Sequence, residues 1–335
     1  MTTKNQPHLV PVTIESALAE SPATAHIGIH IGVDEPLDHA MRRIMLSEFD
    51  VAINGVTHAD DIDLGVHEAR KALKRIRGLL RLVRDEIGYE VYRNENVVLR
   101  DIGRILAPVR DSNVLVHTFG DINERFGSAL SPAASADINA FLRLNHRRLR
   151  ASVVDDQQCM ADLVVSLKSS RSRFVGHGTP SHPDQGAAVR DEFASIAGGL
   201  ARVHRRGRRA MRRADEYRDT ASLHEWRKRV KYLRYQTESL TSLWPELIGA
   251  YAHRLDDLGE VLGEEHDLAV LRSTLVERAS TFPEAAIVVS ALIDHLRVPL
   301  QERAFTLGRS IYTEPTNAFV SRMDSYWITA RHTEG

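Results

Sequence analysis

The sequence has little of what disulfide-linked, membrane-spanning or β-rich proteins need. Cys159 is its one cysteine, so no intramolecular disulfide can form, which fits a reducing compartment. Aromatic residues make up only 6% of the chain, which argues against an all-β architecture. No apolar run is long enough to span a bilayer, and the N-terminus lacks a basic region followed by an apolar core. We therefore expect no transmembrane helix, no signal peptide and a cytoplasmic location.

Apolar residues instead recur at steps of three and four, which predicts an all-α fold, and no segment shows sustained strand alternation. We divide the chain into a loosely ordered N-terminal segment (1–35) and a helical domain (36–325). Two prolines mark 176–187 as a linker, which separates a first repeat (36–175) from a second repeat (188–325). The predicted helices are 38–53, 66–87, 92–106, 114–119 (after an interruption at Pro108), 132–154, 188–213, 221–243, 246–262, 267–278 and 284–309.

The two repeats share two blocks of sequence in the same order. Val66–Arg77 aligns with Leu223–Arg234, and six of these twelve positions are identical, five of them basic or histidine. Further on, Leu99–Leu106 aligns with Leu255–Leu262, and each block is followed by a short basic-acidic pair, Arg110-Asp111 or His266-Asp267. The offset is 157 in the first block and 156 in the second. This predicts an internal duplication of a unit of long antiparallel helices.

The shared block carries a basic stripe beside an apolar one. On a helix, the basic residues lie one position round from the apolar residues that must pack against other helices. The formal net charge of −1 therefore hides positive faces. The first stripe contains His67, Arg70, Lys74, Arg77, Arg81 and Arg84, with Lys71 and Arg75 beside it; the second contains His224, Arg227, Lys231 and Arg234, with Lys228 beside it.

A solvated surface is the ordinary interpretation of a basic stripe, and three features favour binding instead. Few carboxylates are interleaved with the cations, like charges at these spacings repel by roughly 0.2–0.5 kcal/mol per pair, and both repeats keep the arrangement. Arginine and lysine both bind phosphate, so two such stripes facing each other across a groove or cavity suit a polymer of phosphates. Weaker candidates on other helices are Arg43, Arg206 and Arg213.

Three rival functions remain open at this stage. A metal site is disfavoured because His67-Glu68 and His224-Glu225 lack a second histidine at i+4 and lie among cations. An enzyme acting on polyphosphate or a phosphorylated substrate would need carboxylate-held Mg²⁺ or a phosphate loop, and no GxxxxGK[ST] occurs. Nucleic-acid binding is disfavoured because the sequence has no recognisable nucleic-acid-binding motif and, apart from Tyr232 and Tyr235, few aromatic residues on the basic faces for base stacking. We expect no catalytic residue, no cofactor and no metal.

The two histidine-led signatures and the downstream Leu-x-Asp-Ile/Leu-Gly segments resemble the CHAD family, the conserved histidine α-helical domain, over residues 36–325. The resemblance implies two pseudo-symmetric helical bundles, a basic central cavity and binding of inorganic polyphosphate, often at polyphosphate granules. Many relatives carry an N-terminal CYTH triphosphate-tunnel domain, for which 1–35 is too short, so we expect a stand-alone member. One departure is that Tyr232 and Glu238 match Arg75 and Arg81. The oligomeric state is not predicted. The candidate polyphosphate-binding residues are His67, Arg70, Lys71, Lys74, Arg75, Arg77, Arg81, His224, Arg227, Lys228, Lys231, Arg234, Arg43, Arg206 and Arg213.

Overall fold

The computed structural model describes residues 28–175 and 189–332, and these fold into α-helices with no β-strand among them. The all-α prediction is confirmed. None of the helices in these two ranges is long and apolar enough to cross a membrane. The helices are α1 (Leu37–Thr57), α2 (Ile62–Leu82), α3 (Arg84–Ile87), α4 (Tyr89–Ile105), α5 (Ala107–Phe126), α6 (Pro132–Ala151), α7 (Gln157–Arg173), α8 (Ala194–Tyr217), α9 (Thr220–Ser239), α10 (Pro245–Glu277), α11 (Pro283–Ile311) and α12 (Thr316–His332).

Several helix boundaries differ from the sequence-based prediction. The two helices predicted between 246 and 278 are one helix of 33 residues, α10, because the gap between them contains no proline and the single glycine, Gly263, costs only about 1 kcal/mol inside a helix. Pro108 lies in the first turn of α5 and does not interrupt a helix, since a proline there lacks only an N–H that has no helical partner. The helices α7 and α12 were not predicted. The predicted linker, 176–187, lies outside the described residues.

The helices of the second half pack in the same order as those of the first. In the first half, α2 packs against α1, α4 and α5, α1 packs against α7, and α5 packs against α6. In the second half, α9 packs against α8 and α10, α8 against α12, and α10 against α11. This order is what the two sequence blocks lead us to expect. The duplication itself stays a prediction.

The helices α2 and α9 lie at the centre and cross each other. The apolar stripe of α2 is buried, as predicted, in a core shared by both halves. At the crossing, a side chain on Gly78 would place its Cβ 3.2 Å from the Cβ of Tyr235, so glycine permits the close approach. These two residues are equivalent at the offset of 157, and matching positions of the two helices therefore meet. A second apolar cluster joins α5 and α6 to α10 and α11.

The segment before α1 is anchored where the structure describes it. Residues 1–27 of the predicted loose segment lie outside the described ranges. Ile31 is fully buried, and its backbone N–H donates a hydrogen bond of 2.8 Å to the carbonyl of Ser239. Arg43 on α1 forms an ion pair with Glu35 (Nη2 to Oε2, 2.6 Å) and donates to the carbonyl of His30 (2.9 Å). The structure thus gives Arg43, a candidate site residue, the role of holding this segment on the core.

Candidate functional site

The basic faces of α2 and α9 meet around Lys74 and Lys231. Both lysines are partly buried, and neither has a hydrogen-bond or ion-pair partner in the part of the chain that the structure describes. Burial and the neighbouring charge of Lys231 lower the pKa of Lys74 to about 7. Burial and the charges of Arg227 and Arg234 lower the pKa of Lys231 to about 8. The two stripes therefore converge, and neither lysine forms an ion pair among the described residues.

Two arginines flank the lysines in a matching arrangement. Arg70 donates a hydrogen bond of 2.6 Å from Nη1 to the carbonyl of Gly103, and its Nη2 lies 3.4 Å from Oδ1 of Asp111. In the second half, Nη1 of Arg227 lies 4.0 Å from Oδ1 of Asp267. Both arginines leave a buried Nε without a hydrogen-bond partner. Each guanidinium is thus oriented by an aspartate and keeps an unsatisfied donor.

The histidines of the two signatures are held neutral beside these cations. Nδ1 of His67 accepts a hydrogen bond of 2.7 Å from Nε of Arg110, and burial with the charge of Arg110 lowers its pKa to about 3. The ring of His224 packs on that of His266, with centroids 4.2 Å apart. Burial, with His224 and Arg227 nearby, lowers the pKa of His266 to about 3. In the described ranges, no group of three or more His, Cys, Asp or Glu side chains is arranged to hold a metal ion.

These groups form one cluster with an excess of positive charge, which we call the central cluster. Its members come from α2, α9, α5 and α10, and each lies close enough to another member for its charge to shift that member's pKa. Six cations face three carboxylates, so the surplus is positive. Whether the cluster lines a cavity of ligand size stays a prediction. The cations are Arg70, Lys74, Arg110, Arg227, Lys231 and Arg234, and the carboxylates are Asp111, Asp256 and Asp267.

The two ends of the cluster are built differently. Towards the end of α2, Arg77 (Nε, 3.1 Å) and Arg81 (Nη2, 2.9 Å) both donate to Oδ1 of Asn96, a neutral amide. The guanidinium of Arg81 also lies 4.1 Å from the ring centroid of Tyr232. On α9, by contrast, Arg234 forms an ion pair with Asp256 and lies 4.0 Å from Glu238. Only the α2 end keeps its arginine charge unneutralised.

Arg75 does not join the cluster, which corrects the sequence-based assignment. It follows Lys74 by one residue, about 100° further round the helix, and so turns towards α1. There it is 6% exposed and its Nη1 lies 3.3 Å from Oε1 of Glu48. A cavity of about 10 Å³ adjoins this pair. Burial raises the pKa of Glu48 to about 7 despite the arginine.

Four other candidates lie at the edge of the cluster or beyond it. Lys71 pairs with Glu68 (3.7 Å) and Lys228 with Glu225 (2.5 Å), each one turn back on its own helix. Arg206 and Arg213 are exposed on α8. Sequence reasoning did not assign Arg110, Asp111, His266 and Asp267 to the site, although their matching positions after the second repeated block were the available signal.

Comparisons with known proteins agree with this architecture. The family model of the CHAD domain matches residues 43–276. The chain is similar to the crystal structure of the CHAD domain from the plant Ricinus communis, with 18% identity, a TM-score of 0.58, and coverage of 85% of this chain and 94% of that one. It is also similar to PptA from Streptomyces chartreusis, with 14% identity, a TM-score of 0.62, and coverage of 84% and 100%. A search of curated proteins gives no significant match.

Identities this low to the two solved structures establish the fold alone. Membership of a family rests on the match to the CHAD family model. That model spans well over half of the residues and includes both basic helices, α2 and α9. This chain therefore belongs to the CHAD domain family.

Proposed function

We propose that this protein binds inorganic polyphosphate at the central cluster and does not act on it chemically. The observation that carries the proposal is the pair of facing lysines, Lys74 and Lys231, which have no carboxylate partner in the described ranges. The CHAD family is associated with polyphosphate binding, and this membership supports the same ligand.

A linear polyanion fits the cluster for physical reasons. Burying cations beside one another disfavours their charged forms, and a phosphate chain between them removes that cost. The buried Nε atoms of Arg70 and Arg227 are unsatisfied donors that phosphate oxygens can accept from. The stripe from Arg70 to Arg81 extends about 16 Å along α2, which suits a repeating anion better than a single small one.

We infer binding rather than catalysis from the charges around the lysines. Phosphoryl transfer commonly uses Mg²⁺ held by free carboxylates. Asp111 and Asp267 instead lie against Arg70 and Arg227, within a cluster whose surplus charge is positive. Long-chain polyphosphate incubated with the protein and Mg²⁺ should keep its length on a gel, and progressive shortening would contradict this part of the proposal.

Binding should depend on the two lysines and not on cations in general. We expect Lys74→Gln with Lys231→Gln to weaken binding of long-chain polyphosphate at least about a hundredfold, since each hydrogen bond to a charged group is worth about 1.5–3 kcal/mol. The matched control is Arg147→Gln with Lys168→Gln, which removes two exposed cations that have no ion-pair partner in the described ranges. Equal affinities of the two double variants in a calorimetric titration would overturn the proposal.

A protein that holds polyphosphate without consuming it is suited to organising polyphosphate granules, and we extend the proposal to that role in the cytoplasm. The lysine double variant tests whether the protein reaches granules through its own polyphosphate site or through other proteins that bind polyphosphate. A fluorescent fusion of the natural chain should gather at granules, and the fusion carrying Lys74→Gln with Lys231→Gln should not.

A further inference from the structure

A second set of cations lies on α8, beside α9. Arg202, Arg206, Arg209 and Arg213 are spaced by four, three and four residues and so share one face of the helix. Arg202 forms an ion pair of 2.7 Å with Asp85 on α3. The other three are exposed and have no ion-pair partner among the residues that the structure describes. We call Arg206, Arg209 and Arg213 the outer stripe.

The first residue of the outer stripe, Arg206, lies next to other cations, whereas Arg213 at the far end lies near Asp219, whose pKa it lowers. Because α8 packs against both α9 and α3, Arg206 lies close to cations from both helices. Burial and the positive charges of Arg229, Arg84 and Arg202 lower the pKa of Arg206. An ordinary solvated helix face gains small energies from alternating charges, and Arg206 has no ion pair of this kind among the described residues.

The α2 end of the central cluster leads to this outer stripe. Arg77 and Arg81 follow Lys74 at one-turn steps along α2, and the charges of Arg77 and Arg229 both lower the pKa of Arg81. Arg229, which is ion-paired with Glu225 on its own helix, is in turn the leading positive neighbour of Arg206. The cations thus continue from the crossing of α2 and α9, past Arg81, to α8.

Tyrosine rings hold the connecting arginines in place without neutralising them. The guanidinium of Arg81 lies 4.1 Å from the ring centroid of Tyr232, and that of Arg84 lies 5.0 Å from Tyr89 and 5.3 Å from Tyr92. Cation–π contacts position a charge and leave its outward donors free. Because arginines already cover these rings, the rings offer little to a nucleic-acid base, which favours a ligand made of phosphate alone.

The equivalent route at the other end of the crossing is blocked by carboxylates. At the position that matches Arg77, Arg234 is paired with Asp256, and the position that matches Arg81 is Glu238. A phosphate chain that leaves the central cluster in this direction meets negative charge. The two exits from one cluster therefore differ in sign.

Building on the proposed function, we propose that a long polyphosphate chain leaves the central cluster past Arg81 and continues along the outer stripe of α8, and that it does not leave past Glu238. The central cluster binds the first few phosphates. The outer stripe adds contacts that only a longer chain can reach, and so makes the protein selective for long chains.

The same helix supplies a matched control for the test. Arg205 and Arg212 are also exposed, and each lies one residue before Arg206 or Arg213, which places it roughly 100° round α8 from that residue. The experiment compares Arg206→Gln with Arg213→Gln against Arg205→Gln with Arg212→Gln. Both double variants lose two exposed arginines from one helix, so their folding and net charge are matched. The ligands are tripolyphosphate and long-chain polyphosphate, titrated separately against each variant.

The readout is the ratio of the affinity for the long chain to the affinity for tripolyphosphate. We expect this ratio to fall at least about tenfold, which corresponds to about 1.4 kcal/mol, when the outer stripe is altered, and to fall much less in the control. Equal ratios in the two double variants overturn the inference. Long single-stranded DNA that displaces long-chain polyphosphate from the natural protein, through the same two arginines, also overturns it in favour of a nucleic-acid ligand.

Failure of this inference is distinguishable from failure of the proposed function. The variant Lys74→Gln with Lys231→Gln is titrated in parallel. If it loses both ligands while the two α8 variants behave alike, the central cluster stands and the outer stripe does not. If it loses neither ligand, the proposed function itself is wrong.

Discussion

Lys74 and Arg75 are neighbours in the sequence and belong to different faces of the same helix, about 100° apart. Arg75 is buried against Glu48 in an ion pair of 3.3 Å. Lys74 faces Lys231, and in the described ranges no carboxylate pairs with it. A buried cation with its carboxylate belongs to the fold, whereas a partly buried cation opposite another cation lowers stability until a ligand arrives. Whether a cation of the basic stripe is available to a ligand therefore depends on whether a carboxylate faces it, more than on its position in the stripe.

The largest expected effect is that salt weakens polyphosphate binding at the face of Lys74 and hardly changes the stability that the face of Arg75 provides. By analogy with counterion release from DNA, contacts to six or more phosphates imply a loss of roughly 10³-fold in polyphosphate affinity between about 50 and 200 mM salt. The buried pair of Arg75 and Glu48 is screened far less, so the melting temperature should change little over that range. Titrations and thermal melts in the same buffers check this prediction. A polyphosphate affinity that is insensitive to salt would contradict it.

The same substitution at the two neighbouring positions should have opposite consequences. We expect Arg75→Met to lower the free energy of unfolding by about 1–3 kcal/mol, because it removes the hydrogen-bond partner of the buried Glu48 carboxyl, which then takes up a proton and becomes neutral. Polyphosphate affinity of the folded variant should not change. Lys74→Met should weaken polyphosphate binding and leave the free energy of unfolding unchanged or higher, because it removes repulsion from Lys231. Denaturant melts measure the unfolding free energies of both variants, and titrations measure their polyphosphate affinities. A loss of affinity in Arg75→Met would show that Arg75 is part of the binding site.

A smaller effect concerns the pH dependence of stability. Burial raises the pKa of Glu48 in the folded protein to about 7, above the ordinary value of 4.5. The protonated form is therefore favoured by folding, and this contribution is fully present below pH 4.5 and is lost as the pH rises to about 7. Glu48→Gln should flatten the dependence of the unfolding free energy on pH in that window. An unchanged slope would show that the carboxyl titrates normally.

The sequence predicted the parts of the structure that rest on periodicity. The apolar stripe from Val66 to Val83 is buried throughout, and the basic stripe beside it does meet its counterpart on α9 around Lys74 and Lys231. Spacing on a helix fixes which side chains share a face, so such features can be derived before any tertiary contact is known.

The features that the sequence did not predict depend on tertiary neighbours. Nothing around Arg75 in the sequence indicates that Glu48, 27 residues away, lies opposite it. The anchoring of residues 28–35 by Arg43 similarly requires the packing of that segment on α1 and α9. The helix α7 buries only a few positions, among them Leu163, Leu167 and the polar Ser170, which leaves a weak periodic signal.

The fold is also needed to explain why the second repeat has Tyr232 and Glu238 where the first has Arg75 and Arg81. The residues that break the symmetry, Tyr232 and Glu238, lie across the crossing from Arg81 and Arg75. Tyr232 contacts Arg81 directly, and Glu238 lines the small cavity with Arg75 and Glu48. The sequence alignment marks these positions as mismatches, and in the structure both residues lie against the first half, Tyr232 on Arg81 and Glu238 at the cavity beside Arg75.

Proton uptake on binding tests the role of the facing lysines most directly. Without ligand, the pKa of Lys74 is lowered to about 7 and that of Lys231 to about 8. A polyanion raises both values, so its affinity is greatest below pH 7 and falls as the pH rises beyond 8. Calorimetric titrations with long-chain polyphosphate at a pH between these values, in buffers of different ionisation enthalpy, count the protons exchanged. We predict net uptake that disappears in Lys74→Gln with Lys231→Gln; the same uptake in that variant as in the natural protein would contradict binding at these lysines.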